Sequence, residues 1–140
     1  MEQSEPVKEI ESLMRQQKWE AAALACIQEL DLHPTAARVH GYLGMSQFRL
    51  SRFTDAIVSF RRAIALDPSF WEAGAKLAQC LTQTRQYEEA YKEVSHWLPK
   101  QPNDHTLQGL AEFLRPMVHG ETQRWEQTMN LERKIILPNK

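Results

Sequence analysis

Residues 37–68 read ARVHGYLGMSQFRLSRFTDAIVSFRRAIALDP, and this stretch decides the fold. Ala56, Phe60, Ala63 and Ile64 recur at spacings of three and four, the period of one apolar helical face. Leu43 and the small Gly44 occupy the earlier half, where a missing side chain lets two helices approach closely. Asp67-Pro68 closes the pattern, because proline has no N–H to donate and cannot continue a helix. The stretch therefore reads as a helix, a short turn and a second helix.

Working outward, the same features return at a fixed interval. The step from Pro34 to Pro68 equals the step from Pro68 to Pro102. An aromatic precedes each proline at one constant distance (Trp19, Phe53, Tyr87), and an alanine at another (Ala22, Ala56, Ala90). The strings KWEAA, RFTDA and QYEEA are successive copies of one turn and helix start. Periods of this length are the signature of repeat architectures. The spacing predicts helices near 6–16, 19–32, 36–50, 54–66, 70–83 and 87–98. Turns of three or four residues make each pair antiparallel.

The pattern resembles the tetratricopeptide repeat. Residues 37–70 are the best match, with Leu43-Gly44, Ala56, Phe60, Ala63 and Asp67-Pro68 in place, but His40 replaces an aromatic and Gln47 a tyrosine. Residues 71–104 carry Leu77-Ala78, Leu81, Ala90, Val94 and Pro102, while residues 3–36 are a degenerate copy with Leu13, Trp19, Ala22, Leu30 and Pro34. The resemblance implies an all-α fold, tandem helix pairs stacked in a right-handed superhelical solenoid, with three motifs over residues 1–102. Residues 103–140 read as a C-terminal helical cap or a degenerate fourth repeat. A first helix is expected over 105–115, broken at Pro116, with a second stop at Gly120 and a last helix over 121–136. Trp97 stands where the second helix normally has alanine, so it must push the next element outward or fill a wider gap.

Composition narrows the function. The 140 residues are 42% hydrophobic and 25% charged, as in folded soluble chains, and the net charge of −1 lacks the positive field that phosphate-backbone binding needs. No apolar run reaches the length of a membrane span, and the opening Met1-Glu2-Gln3-Ser4-Glu5 is the reverse of a secretory signal, which points to the cytoplasm. There is no GxGxxG, phosphate loop, GxSxG or HExxH, so neither catalysis nor a cofactor is expected. His33, His40, His96, His105 and His119 form no pair three or four apart, and no metal site is expected. Cys26 faces the core and Cys80 reads as half-buried, both as small hydrophobes. Arg49, Arg52, Arg61 and Arg62 read as a solvated face rather than a nucleic-acid patch.

The resemblance assigns the concave side to the first helix of each pair. Arg38, Tyr42, Met45, Phe48 and Arg49 fall there in the second copy, Lys76 and Gln79 in the third, and Leu110 and Phe113 in the helix that follows. These nine are the candidate partner-binding residues, with Tyr42 and Met45 as apolar anchors and Arg38, Arg49 and Lys76 facing acidic side chains. Relatives that clamp the terminal carboxylate of heat-shock chaperones use five polar residues. Their positions here hold Val7, Glu11, Tyr42, Glu72 and Lys76, so that clamp is absent. The expected function is a non-enzymatic protein-interaction module that binds a peptide or helix of a partner in its groove, as adaptor, scaffold or assembly factor. Two alternatives are a dedicated chaperone resembling those of type III secretion and a homo-oligomer joined through Trp125, Met129 and Ile135-Ile136-Leu137.

Overall fold

A computed structural model describes the backbone of residues 4–136 and the side chains of residues 4–120. The contacts assigned to Trp125, Met129 and Ile135-Ile136-Leu137 lie outside the described residues. Seven helices follow one another: α1 (Glu5–Arg15), α2 (Trp19–Leu32), α3 (Ala37–Arg49), α4 (Phe53–Leu66), α5 (Trp71–Gln83), α6 (Tyr87–Trp97) and α7 (His105–Ile136). The first six lie within one residue of their expected bounds. Among the described residues there is no strand. Each helix packs on its neighbours in the chain, and α1, α3, α5 and α7 also touch in sequence, making an inner row. Among the described residues the backbones of the even-numbered helices α2, α4 and α6 do not pack on one another, and these helices form the outer layer, joined by side-chain ion pairs such as Arg61–Glu89.

The turn inside each pair repeats as faithfully as the helices. Gln17, Ser51 and Arg85, spaced by the same period as the prolines, have φ of 58°, 59° and 62°. The next residue's N–H reaches back to the preceding helix, from Lys18 to Leu13 (2.9 Å), Arg52 to Gln47 (2.8 Å) and Gln86 to Leu81 (2.8 Å). This is the left-handed helix stop that glycine usually supplies. Here three residues with side chains hold it, each against the steric preference of an L-residue.

Two apolar clusters hold the stack. One joins Ile10, Ala23 and Cys26 to Val39 and Leu43 of α3. The other runs from Ala56 and Phe60 through Leu77, Leu81, Val94 and Trp97 to Leu107 and Leu114 of α7. Cys80 is fully buried rather than half-buried.

Trp97 is resolved by a partner that the pattern did not reveal. It is 1% exposed, and a Cβ added to Gly74 would overlap its indole. Gly74 stands where the preceding copy has His40, so the third pair has exchanged a large inner residue for a large outer one. The indole N–H donates to Glu93 Oε2 at 3.0 Å. Trp97 therefore fills the space beside Gly74 within its own pair.

The expected break at Pro116 is corrected, because α7 is one helix of 32 residues, with Pro116 and Gly120 both inside it. Asp104 Oδ2 caps its start by accepting the Leu107 N–H at 2.9 Å. Pro116 and Glu112 are both exposed, so the carbonyl that loses its hydrogen bond faces water. Buried Leu107, Ala111 and Leu114 hold the first half of the helix on the core. At about 1.5 Å per residue α7 is roughly 48 Å long. It packs on α6 and more lightly on α5, and among the described residues its backbone does not pack on α3.

Two stability measurements test this packing. Gly74→Ala should lower unfolding free energy by about 1–3 kcal/mol through overpacking against Trp97. Gly109→Ala, where a Cβ meets nothing within 4 Å, should be neutral or raise it by up to about 1 kcal/mol. Equal effects in urea denaturation would contradict the Gly74–Trp97 contact. Ser51→Gly should raise stability by roughly 1 kcal/mol in the same assay by relieving the left-handed turn, and a loss would contradict that conformation.

Candidate functional site

The inner row leaves a cleft of about 600 Å³ between α3 and α5. Met14 from α1 closes one end, and Asp104 and Thr106 at the start of α7 the other. Its apolar lining comes from Tyr42 and Met45 on α3 and from Phe70 and Trp71 at the turn into α5. Arg38, Glu72, Lys76 and Asp104 supply its charges. Phe70 sits close because Gly41 has no side chain: a Cβ there would come within 2.9 Å of the Phe70 ring.

Four of the nine candidates, Arg38, Tyr42, Met45 and Lys76, meet at this cleft. The other five are placed elsewhere. Phe48 packs edge-on against Phe53, ring centres 5.6 Å apart, with the Lys76 ammonium 5.0 Å from its own ring centre. The Arg49 guanidinium lies 5.5 Å from the centre of the Trp19 ring, at the start of α2. Gln79 accepts a hydrogen bond from Lys76 Nζ at 3.2 Å. Leu110 packs against the core, and Phe113, 49% exposed, stands edge-on to Tyr87 at 6.1 Å.

Sequence reasoning missed Phe70, Trp71 and Asp104. It treated residue 70 as a repeat boundary, although two adjacent aromatics at a helix start were the available signal. A helix start seldom turns two neighbouring side chains into the same core, since i and i+1 do not share a face.

The polar groups of the cleft are partly engaged with one another. The Tyr42 hydroxyl donates to Glu11 Oε1 at 2.9 Å, tying α3 to α1. Burial, then the hydrogen bond and charge of Glu11, push the Tyr42 phenol up to about 12. Lys76 is half-buried and shifted downward, by burial first and by Arg49 second. Among the described residues no three His, Cys, Asp or Glu side chains converge as a metal site would require. A second hollow of about 270 Å³ lies between α4 and α6, on the outer layer, where Arg61 and Glu89 close an ion pair at 2.7 Å. Among the described residues no helix is long and apolar enough to cross a membrane.

Two models of the tetratricopeptide repeat match the chain, over residues 7–69 and 47–112. No curated protein matches it. The first such domain of Spaghetti (RPAP3), bound to the HSP90 peptide SRMEEVD, is 20% identical with a TM-score of 0.76, over 80% of this chain and 89% of that one. The second such domain of human RPAP3, in complex with the HSP70 peptide SGPTIEEVD, is 16% identical with a TM-score of 0.74, over 79% and 92%. The Sgt2 domain from Aspergillus fumigatus is 14% identical with a TM-score of 0.76, over 86% and 83%. At these identities the likeness is one of fold.

Burial fixes the response of the fold to alkali. The Cys26 and Cys80 thiols are pushed from 9.0 to about 12 by burial, as Tyr42 is raised from 10.0. All three raised groups are neutral when protonated, so their contribution is complete below pH 9. Above it the unfolded chain loses protons that the folded chain keeps, and stability should fall steadily from about pH 9 to 12. Ellipticity at fixed urea across that range measures this. A Cys26→Ala, Cys80→Ala variant should fall less steeply, and a flat wild-type profile would contradict the burial of these groups.

Proposed function

Since the chain belongs to the tetratricopeptide repeat family, we propose that it is a non-enzymatic interaction module holding a segment of a partner protein in the cleft between α3 and α5. The carrying observation is the cleft itself, about 600 Å³ of mainly apolar surface along the inner row. Apolar hollows of this size with a few placed polar groups serve recognition. Tyr42 and Met45 are the anchors, and Phe70 and Trp71 form the facing wall. Tyrosine and tryptophan offer large contact area at small entropic cost, as binding hot spots do. Solved domains of RPAP3 and Sti1, of the same fold, are in complex with heat-shock peptides, which supports a peptide-binding role and leaves the partner here a separate matter.

The module acts as an adaptor or assembly factor in this reading, and its place of action is the cytoplasm. A secretion-type chaperone would use the same cleft, whereas self-assembly would use the far end of α7.

The test compares wild type with a Tyr42→Glu, Met45→Glu variant whose helicity and mass in solution are unchanged. A partner recovered from lysate by wild type should bind the variant at least about tenfold more weakly when both are purified. Equal affinity would overturn the cleft as the site. Loss of self-association on truncation after Gly120, with the cleft variant intact, would favour assembly through α7 instead.

A further inference from the structure

The charges around the cleft are unevenly committed. Arg15, Arg38, Arg49 and Lys76 stand along α1, α3 and α5, and none forms an ion pair among the described residues. The neighbouring carboxylates each accept a hydrogen bond within the protein. Glu11 accepts the Tyr42 hydroxyl at 2.9 Å, and Asp104 accepts the Leu107 N–H at 2.9 Å as the cap of α7. Only Glu72, exposed on the rim, is without such a partner among the described residues. The Lys76 ammonium is held in place by Gln79 at 3.2 Å and by the Phe48 ring at 5.0 Å. One of its three N–H groups is used, and two remain for an incoming group. The Asp104 carboxylate acts on Lys76 from a distance without forming an ion pair with it, so this half-buried cation still gains from an anion that arrives as water leaves.

A free chain terminus would be served badly here. It brings a carboxylate that needs several converging donors, yet the α1–α3 side of the cleft offers a hydroxyl already donated and the negative charge of Glu11. From these observations we infer that the cleft takes an internal segment in which a side-chain carboxylate meets Lys76 beside an apolar residue seated between Met45 and Trp71. Arg38 receives a second acid where one is present, and the segment's own ends play no part. This inference rests on the reading of the cleft as a peptide site.

The experiment uses the full chain and a random hexapeptide library in two forms, N-acetylated with a C-terminal amide and N-acetylated with a free C-terminal acid. Wild type should retain both forms, enriched in Asp or Glu next to a bulky apolar residue. The best sequences should bind within about threefold as amide or acid, since an exposed terminal charge is worth little. Lys76→Gln should weaken them about tenfold and erase the acidic preference, while Lys76→Arg should keep it. Retention confined to free acids would overturn the inference, as would a neutral or basic preference, or an acidic one that survives Lys76→Gln. In each of those outcomes the cleft still binds peptides. No retention of either form would overturn the underlying reading as well.

Discussion

How closely the two helices of a pair can approach governs everything else in this molecule. In the second pair Gly44 faces Phe60, and an added Cβ would stand 2.7 Å from the ring. The positions one period away on either side are filled by different residues that stay buried. Ile10 and Cys26 fill them in the first pair and Ala78 and Val94 in the third, all at 1% exposure or less. In the third pair a further contact of this kind sets Gly74 against Trp97. Interiors at close-packed density tolerate redistribution of volume far better than its gain or loss. A small residue facing a large one is thus one of several ways to fill the pair interface.

Stacking in turn creates the inner row. Because the backbones of α1, α3, α5 and α7 pack in order while those of α2, α4 and α6 do not, the described residues make one closely packed helical layer and one more widely spaced layer bridged by side chains such as Arg61 and Glu89. The cleft lies in the closely packed layer, where Gly41 lets Phe70 come close and Trp71 follows it to the wall. Small residues therefore act twice: Gly44 and Gly74 within pairs, and Gly41 between them.

The repeat period and the helix bounds were legible because they rest on local rules: apolar spacing, proline stops and short turns. Even the degenerate first copy fell within a residue of its bounds. What was not legible depends on contacts between separate helices. Trp97 looked disruptive because its compensation, Gly74, lies well before it in the chain on another helix. Pro116 looked like a stop because the pattern does not tell that its orphaned carbonyl would face water while Leu107 and Leu114 anchor the helix. At the cleft, helical register correctly placed Arg38, Tyr42, Met45 and Lys76 on one surface. Phe48, Arg49 and Phe113 lie outside that lining, each beside an aromatic ring, Phe53, Trp19 and Tyr87. Register gives a face; it does not say which neighbour will take a side chain off that face.

The positions that set the fold and those that line the cleft are separable on physical grounds. Residues 44, 60, 74 and 97 are buried between paired helices, so a change in any one requires a matching change in its partner. Tyr42, Met45 and Lys76 are only half-buried and stand on the open side of the row. Changing them alters charge and shape toward solvent with little effect on the spacing of helices. The same stack can therefore present different chemistries, as its likeness in fold to domains only 20%, 16% and 14% identical illustrates. Here Tyr42 is the exception that binds both roles together. Its hydroxyl ties α3 to α1 through Glu11 while its ring lines the cleft. A change there acts on the first two pairs' alignment and on recognition at once.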